Sequence, residues 1–156
     1  MPSTRTEFSK HELALTLDWL ADGFIIVDEA GTILFWNQTA VRIFGWREEE
    51  ALGQQLADLI VPENFREAHR AGITHFLRTG EAPLLKQRYF VPGLRKDGSI
   101  ATVSIRISAA KIPGKGYHFA ALMSEATGRT EHFRPPSRLA AWWRRVTGGK
   151  AAGLET

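Results

Sequence analysis

The chain reads as an α+β domain in which an antiparallel sheet is covered on one face by helices, and three observations predict it. Two short apolar runs, GFIIVD and TILFWN, flank a turn; an amphipathic stretch with proline at its start and glycine at its end fills residues 62–80; later apolar segments alternate with a period of two. Strands first, helices in the middle and strands last do not make a parallel βαβ array, so the sheet is antiparallel with its helices segregated.

The elements follow in order. FSKHELALTLDWLA, residues 8–21, sets Leu13, Leu15, Leu17, Trp19 and Leu20 among polar residues, with Ser9 and Glu12 spaced as a capping box, which predicts an N-terminal amphipathic helix. The hairpin turns through Glu29, Ala30 and Gly31. Asn37 is placed to cap a helix carrying Ala40, Val41, Ile43 and Phe44, and Gly45 to end it. REEEALGQQLADLIV predicts short helical pieces broken at Gly53, and PENFREAHRAGITHFLRTG the one long helix, with Pro62 in its first turn and Gly80 at its far end. LLKQRYFV, a turn at Asp97-Gly98, SIATVSIRISA and GYHFAALMSE then supply three strands, with Val103, Ile105 and Ile107 on one face and Thr102, Ser104 and Arg106 on the wetter one.

After about residue 127 the composition changes to linker and tail. Pro135-Pro136 interrupts structure, and SRLAAWWRRV predicts a short helix with Leu139, Trp142, Trp143 and Val146 directed partly one way. The expected division is a flanking segment and helix start at 1–13, the folded domain at 14–127, and a basic, Trp-rich tail at 128–156.

Composition bounds the function. A chain of 156 residues with 44% hydrophobic and 24% charged residues fits one ordinary globular domain. The lack of cysteine excludes disulfides, thiolate metal sites and cysteine nucleophiles. No apolar run spans a bilayer and MPSTRTEFSKHE lacks a signal-peptide core, so a cytoplasmic location is expected. The net charge of +3 gathers late, at Arg134, Arg138, Arg144, Arg145 and Lys150, and no nucleic-acid partner is expected. No GxSxG, P-loop or HExxH motif occurs, and Glu48-Glu49-Glu50 reads as a solvated helix start, so no enzymatic reaction is expected.

Over positions 14–127 the chain resembles the PAS superfamily. The resemblance rests on DGFIIVDEAGTILFWN, Asn37 with Ala40 and Phe44-Gly45-Trp46, Gly53, PENFREAH, RKDGSIATVSIRIS and a last strand from Phe119 to Met123. It implies a five-stranded antiparallel sheet of order 2-1-5-4-3, helices over one face, a pocket between them, and a role in sensing and dimerisation. The Asp-Ile-Thr ending common before histidine kinases is replaced by Ser124-Glu125-Ala126-Thr127-Gly128.

The candidate site lies on the long helix. With Phe65 as origin and about 100° per residue, His69 falls near 40°, Gly72 near −20°, Ile73 near 80° and Phe76 near 20°, all on the apolar face. An imidazole there must hydrogen-bond or ligate, since a buried unpaired polar group costs about 1–3 kcal/mol. Gly72 leaves room for a flat ligand. Within the superfamily the pattern is similar to the heme-binding domains of rhizobial oxygen-sensing histidine kinases. That similarity implies heme b with His69 as proximal iron ligand, Arg88 contacting bound oxygen, and Ile105 and Ile107 on the distal wall. His75 stands where an arginine helps hold one heme propionate, and Pro83 where a partner of the second would be.

Two readings stay open. In one, heme or another apolar molecule occupies the pocket for oxygen, gas or redox sensing. In the other, His69 is a core histidine bonded to a carbonyl, and Phe24, Ile26, Phe44, Phe65, Phe76 and Phe119 fill the core of a cofactor-free interaction module. His11, His118 and His132 form no second metal constellation. A homodimer through the N-terminal helix and a separate signalling effector protein are the expected partners. The WWRR segment is read as packed or unstructured tail, not as a membrane contact.

Overall fold

A capping box starts the first helix. In the computed structural model, which describes residues 7–85, 87–126, 140–141 and 144–145, α1 (Lys10–Asp18) follows Ser9, whose Oγ accepts from the Glu12 amide at 3.1 Å while Glu12 Oε2 accepts from the Ser9 amide at 2.8 Å. Two amides that a helix start leaves unpaired are thereby satisfied. No residue of α1 is buried.

The hairpin forms as expected from β1 (Gly23–Val27) and β2 (Ile33–Trp36). Asp28 Oδ1 closes its turn by accepting from the Ala30 and Thr32 amides at 3.0 and 2.9 Å. Gly31 adopts φ 79°, a region that side chains with a Cβ avoid. The phase of β1 differs from the sequence reading: Ile25 and Val27 are buried, whereas Phe24 and Ile26 are half-buried on the outer face. Both faces of GFIIV are apolar, so only pairing settles the phase. Phe24 stands opposite exposed Leu122 and Ile25 opposite buried Ala121.

Asn37 Oδ1 accepts from the Ala40 amide at 3.0 Å and starts α2 (Gln38–Phe44), which ends at Gly45 in the left-handed region. The short helices α3 (Glu48–Ala51) and α4 (Leu56–Ile60) follow, then α5 (Glu63–Thr79), flanked by Pro62 and Gly80.

The last three strands are β3 (Tyr89–Leu94), β4 (Ile100–Ile112) and β5 (Gly116–Glu125). The sheet is antiparallel throughout, in the order β2-β1-β5-β4-β3. β3 is shorter than LLKQRYFV suggests, because Pro83–Leu85 forms a 3₁₀ turn in which the Leu85 amide donates to Ala82 O at 3.1 Å. Proline has no amide to give a ladder, and its fixed φ suits such a turn. Ser104 also departs from expectation, being buried on the face read as wetter.

The centre of the core is built from Ile25, Ile33, Trp36, Phe44 and Val103, which join the hairpin to α2 and β4. Among the described residues no helix is long and apolar enough to cross a membrane. Of the tail helix expected over SRLAAWWRRV, Ala140, Ala141, Arg144 and Arg145 are described and helical, and Leu139, Trp142, Trp143 and Val146 lie outside the described residues.

Candidate functional site

Between α5 and the inner face of the sheet lies a cavity of about 180 Å³. Phe65, Ala68, His69, Gly72, Ile73 and Phe76 border it from α5 at three- and four-residue intervals, the spacing that puts side chains on one helix face. The sheet contributes Ile25 and Val27 from β1, Val103, Ile105 and Ile107 from β4, and Phe119, Ala121 and Met123 from β5. Cross-strand pairing aligns these rows, with Ile105 opposite Met123 and Ile107 opposite Ala121. Phe76 meets Phe119 edge-on at 5.4 Å between ring centroids, closing one end.

Among the described lining residues His69 has the only polar side chain. A hydrocarbon cavity gives water no partners and favours apolar ligands. His69 as a whole is partly buried, but its Nδ1 is sealed from solvent and has no hydrogen-bond partner. Burial pushes its pKa down from 6.5 to about 4, with the nearby Arg70 charge acting in the same direction. The ring is therefore neutral at pH 7, the form that ligates metals.

Comparison with known proteins agrees with this architecture. The PAS fold family model matches residues 12–118. The chain belongs to the PAS family. This PAS domain is 29% identical to the sensor protein FixL of Bradyrhizobium diazoefficiens, across 79% of the chain and 23% of the relative. It is 28% identical to the oxygen sensor protein DosP of Escherichia coli, across 63% of the chain and 12% of the relative. The chain thus spans less than a quarter of the length of these curated relatives. A PAS domain crystal structure from Colwellia psychrerythraea superposes with a TM-score of 0.62 at 21% identity, covering 76% of this chain and 98% of that one, which speaks to the fold alone.

The structure brings His69, Gly72, Ile73, Phe76, Ile105 and Ile107 together around the PAS cavity and leaves His75 and Arg88 outside its lining. His75 Nε2 lies 3.3 Å from Glu81 Oε2, an oxygen that also accepts from Arg145 Nη2 at 2.7 Å. Arg88 is exposed. Tyr89, the first residue of β3, is the one turned inward: it is buried, pairs with Ile105, and donates its hydroxyl to Pro83 O at 3.1 Å. Arg88 precedes the strand and is not part of its pairing. Pro83 serves the 3₁₀ turn through that carbonyl.

Sequence reasoning missed two contributions to the site. The period-two row Phe119, Ala121 and Met123 was visible in β5 but not assigned to the cavity. Asn37, read as a helix cap, is also a fully buried junction between α1 and the sheet. Its spacing to Phe24 and Leu17 carries no local signal that could have shown this.

Proposed function

We propose that this PAS module senses an apolar ligand held between α5 and the sheet, and that the ligand is heme b with His69 as axial ligand. The observation that carries the reading is the His69 imidazole, the one polar side chain among the described residues lining an otherwise hydrocarbon cavity. Among the described residues no carbonyl pairs with its Nδ1, so the hydrogen bond expected of a core histidine is not formed. Heme, when bound, supplies an iron that takes small gases or changes oxidation state.

The chain's own residues offer the apolar and imidazole contacts of such a ligand, while a cavity of about 180 Å³ lies below the roughly 300 Å³ at which small-molecule pockets begin and has to widen to admit a macrocycle. His69 presents a neutral ring, and Gly72 leaves α5 without a side chain three residues further along the same face. Ile73, Phe76, Ile105 and Ile107 supply hydrocarbon contact. The acidic edge of the ligand is less well matched, because His75 faces Glu81. Similarity to an oxygen sensor protein supports the reading.

Transmission requires that the ligand bind one arrangement of the domain better than another. β5 lines the cavity and pairs with β1, whose Phe24 amide donates to Asn37, and Asn37 holds the end of α1. That route puts the output at α1, where Leu13, Leu15 and Trp19 are exposed and suited to a second copy or an effector protein in the cytoplasm. The same exposed residues favour the second reading, an interaction module that needs no cofactor.

Absorption spectra of protein purified from heme-supplemented cells test the assignment, in oxidised, reduced and carbon monoxide states. A Soret band present in the native chain and lost in His69→Ala is expected. No Soret band, or equal heme uptake by the variant, overturns it.

A further inference from the structure

We infer that the segment SRLAAWWRRV, residues 137–146, docks on the C-terminal end of α5 of its own chain, with Arg145 as its polar anchor and Trp143 as its apolar one.

Three side chains meet at one oxygen. Glu81 Oε2 accepts from Arg145 Nη2 at 2.7 Å and lies 3.3 Å from His75 Nε2, so a residue 64 positions further along the chain reaches the end of α5. The His75 side chain is only 12% exposed, which fixes the place of the carboxylate that faces it. Carbonyls at a helix C-terminus already favour cations. Arg78 in the last turn of α5 offsets part of that pull, and Glu81, just beyond Gly80, restores it.

The ion pair alone does not hold a segment, because Arg145 and Glu81 are both more than half exposed and such pairs contribute little. Apolar contact is needed as well. Ala140, Ala141, Arg144 and Arg145 are helical, and Ala140 is half-buried while its neighbour Ala141 is exposed. One side of the segment is therefore covered, and helical spacing puts position 143 on the side of Ala140. A tryptophan there carries one of the largest apolar surfaces a side chain can bring. Ala82 and Pro83, which follow Glu81, are half-buried and offer it apolar ground.

The connection is long enough. Phe76 meets Tyr117 at 5.1 Å between ring centroids, so the end of α5 lies beside the start of β5. Returning from Glu125 to that level takes about 26 Å at roughly 3.3 Å per residue. The chain from Glu125 to Ala140 extends to about 50 Å.

Hydrogen exchange of the full chain tests the docking, read on peptides covering 137–146 at several protein concentrations. Protection at least about tenfold above an unstructured peptide, independent of concentration, is expected. Trp143→Ala should abolish it, although alanine favours helix more than tryptophan does. Arg144→Ala should leave it within about twofold, the scale of a surface substitution. Glu81→Arg and Arg145→Glu should each speed exchange by about fivefold, the upper range for an exposed pair, and the double variant with the charges exchanged should return it to within about twofold. A native segment exchanging at the unstructured rate overturns the inference, as does equal protection in Trp143→Ala or a double variant no better protected than the single ones. Protection that grows with concentration, together with a dimer in sedimentation, moves the contact to a second copy and overturns docking within one chain.

Discussion

Asn37 Nδ2 donates to the carbonyl oxygen of Leu17, near the end of α1, at 2.9 Å. The same amide donates to Asp22 O at 3.1 Å, and Oδ1 accepts from the Phe24 and Ala40 amides at 2.8 and 3.0 Å. One fully buried side chain therefore ties α1, β1 and α2 together. α1 has no buried residue of its own, so its attachment rests on such hydrogen bonds, with Gln38 N to Asp18 Oδ1 and Thr39 Oγ1 to Leu20 O beside them.

Asn37→Ala removes four hydrogen bonds and leaves buried amides and carbonyls unpaired, so a loss of about 3 kcal/mol or more is expected in urea denaturation. Asn37→Asp keeps the acceptor but sets a second oxygen against two carbonyls. Hydrogen exchange should then quicken in α1 before it does in β5. Unchanged α1 protection in the Asp variant would show that the helix is held by something else.

Stability should depend on pH through His69. Its folded pKa of about 4 lies below its ordinary 6.5, so the unfolded chain binds the extra proton first as pH falls. The contribution is fully present above about pH 6.5, declines from there to about pH 4, and amounts to roughly 3 kcal/mol across that window. Denaturation of ligand-free protein at a series of pH values should show this slope, and His69→Phe should flatten it. An equal slope in the variant would assign the pH dependence to other groups.

Gly93→Ala tests the packing beside the cavity. A Cβ at that position would sit 2.9 Å from Phe44 Cε1 and 3.0 Å from Val103 Cγ2. Both neighbours are almost wholly buried, and the room open to them is the cavity that both border. A destabilisation of about 1–3 kcal/mol follows, seen as a melting temperature lowered by at least about 2 °C. An unchanged melting temperature would mean that the Phe44 ring moves freely.

Ala121→Leu should fill part of the cavity without disturbing the sheet. Added carbon atoms replace void by contact, so the ligand-free protein is expected to melt at the same temperature or higher. Uptake of heme should fall sharply. Full uptake alongside raised stability would place the binding site elsewhere.

Much of this was legible in the sequence, because capping, turn chemistry and helical periodicity are local. Ser9 with Glu12, Asn37 ahead of Ala40, Gly45 and Gly80 at helix ends, and the apolar face of α5 bearing His69 each announce themselves within a few residues, and each stands in the structure where local chemistry puts it. The strand order also followed, through the resemblance to a family whose topology the sheet shares.

Tertiary structure alone decided the phase of the strands. In GFIIV both faces are apolar, and at the start of β3 Arg88 and Tyr89 are neighbours, so nothing local says which side chain turns inward. Pairing of Phe24 with Leu122 and of Tyr89 with Ile105 settled both, since a shift of one residue exchanges the faces of a strand. The histidine could be found from the sequence because a helix carries its own periodicity; the wall it faces could not, because a strand's inward side is set by partners distant in the chain.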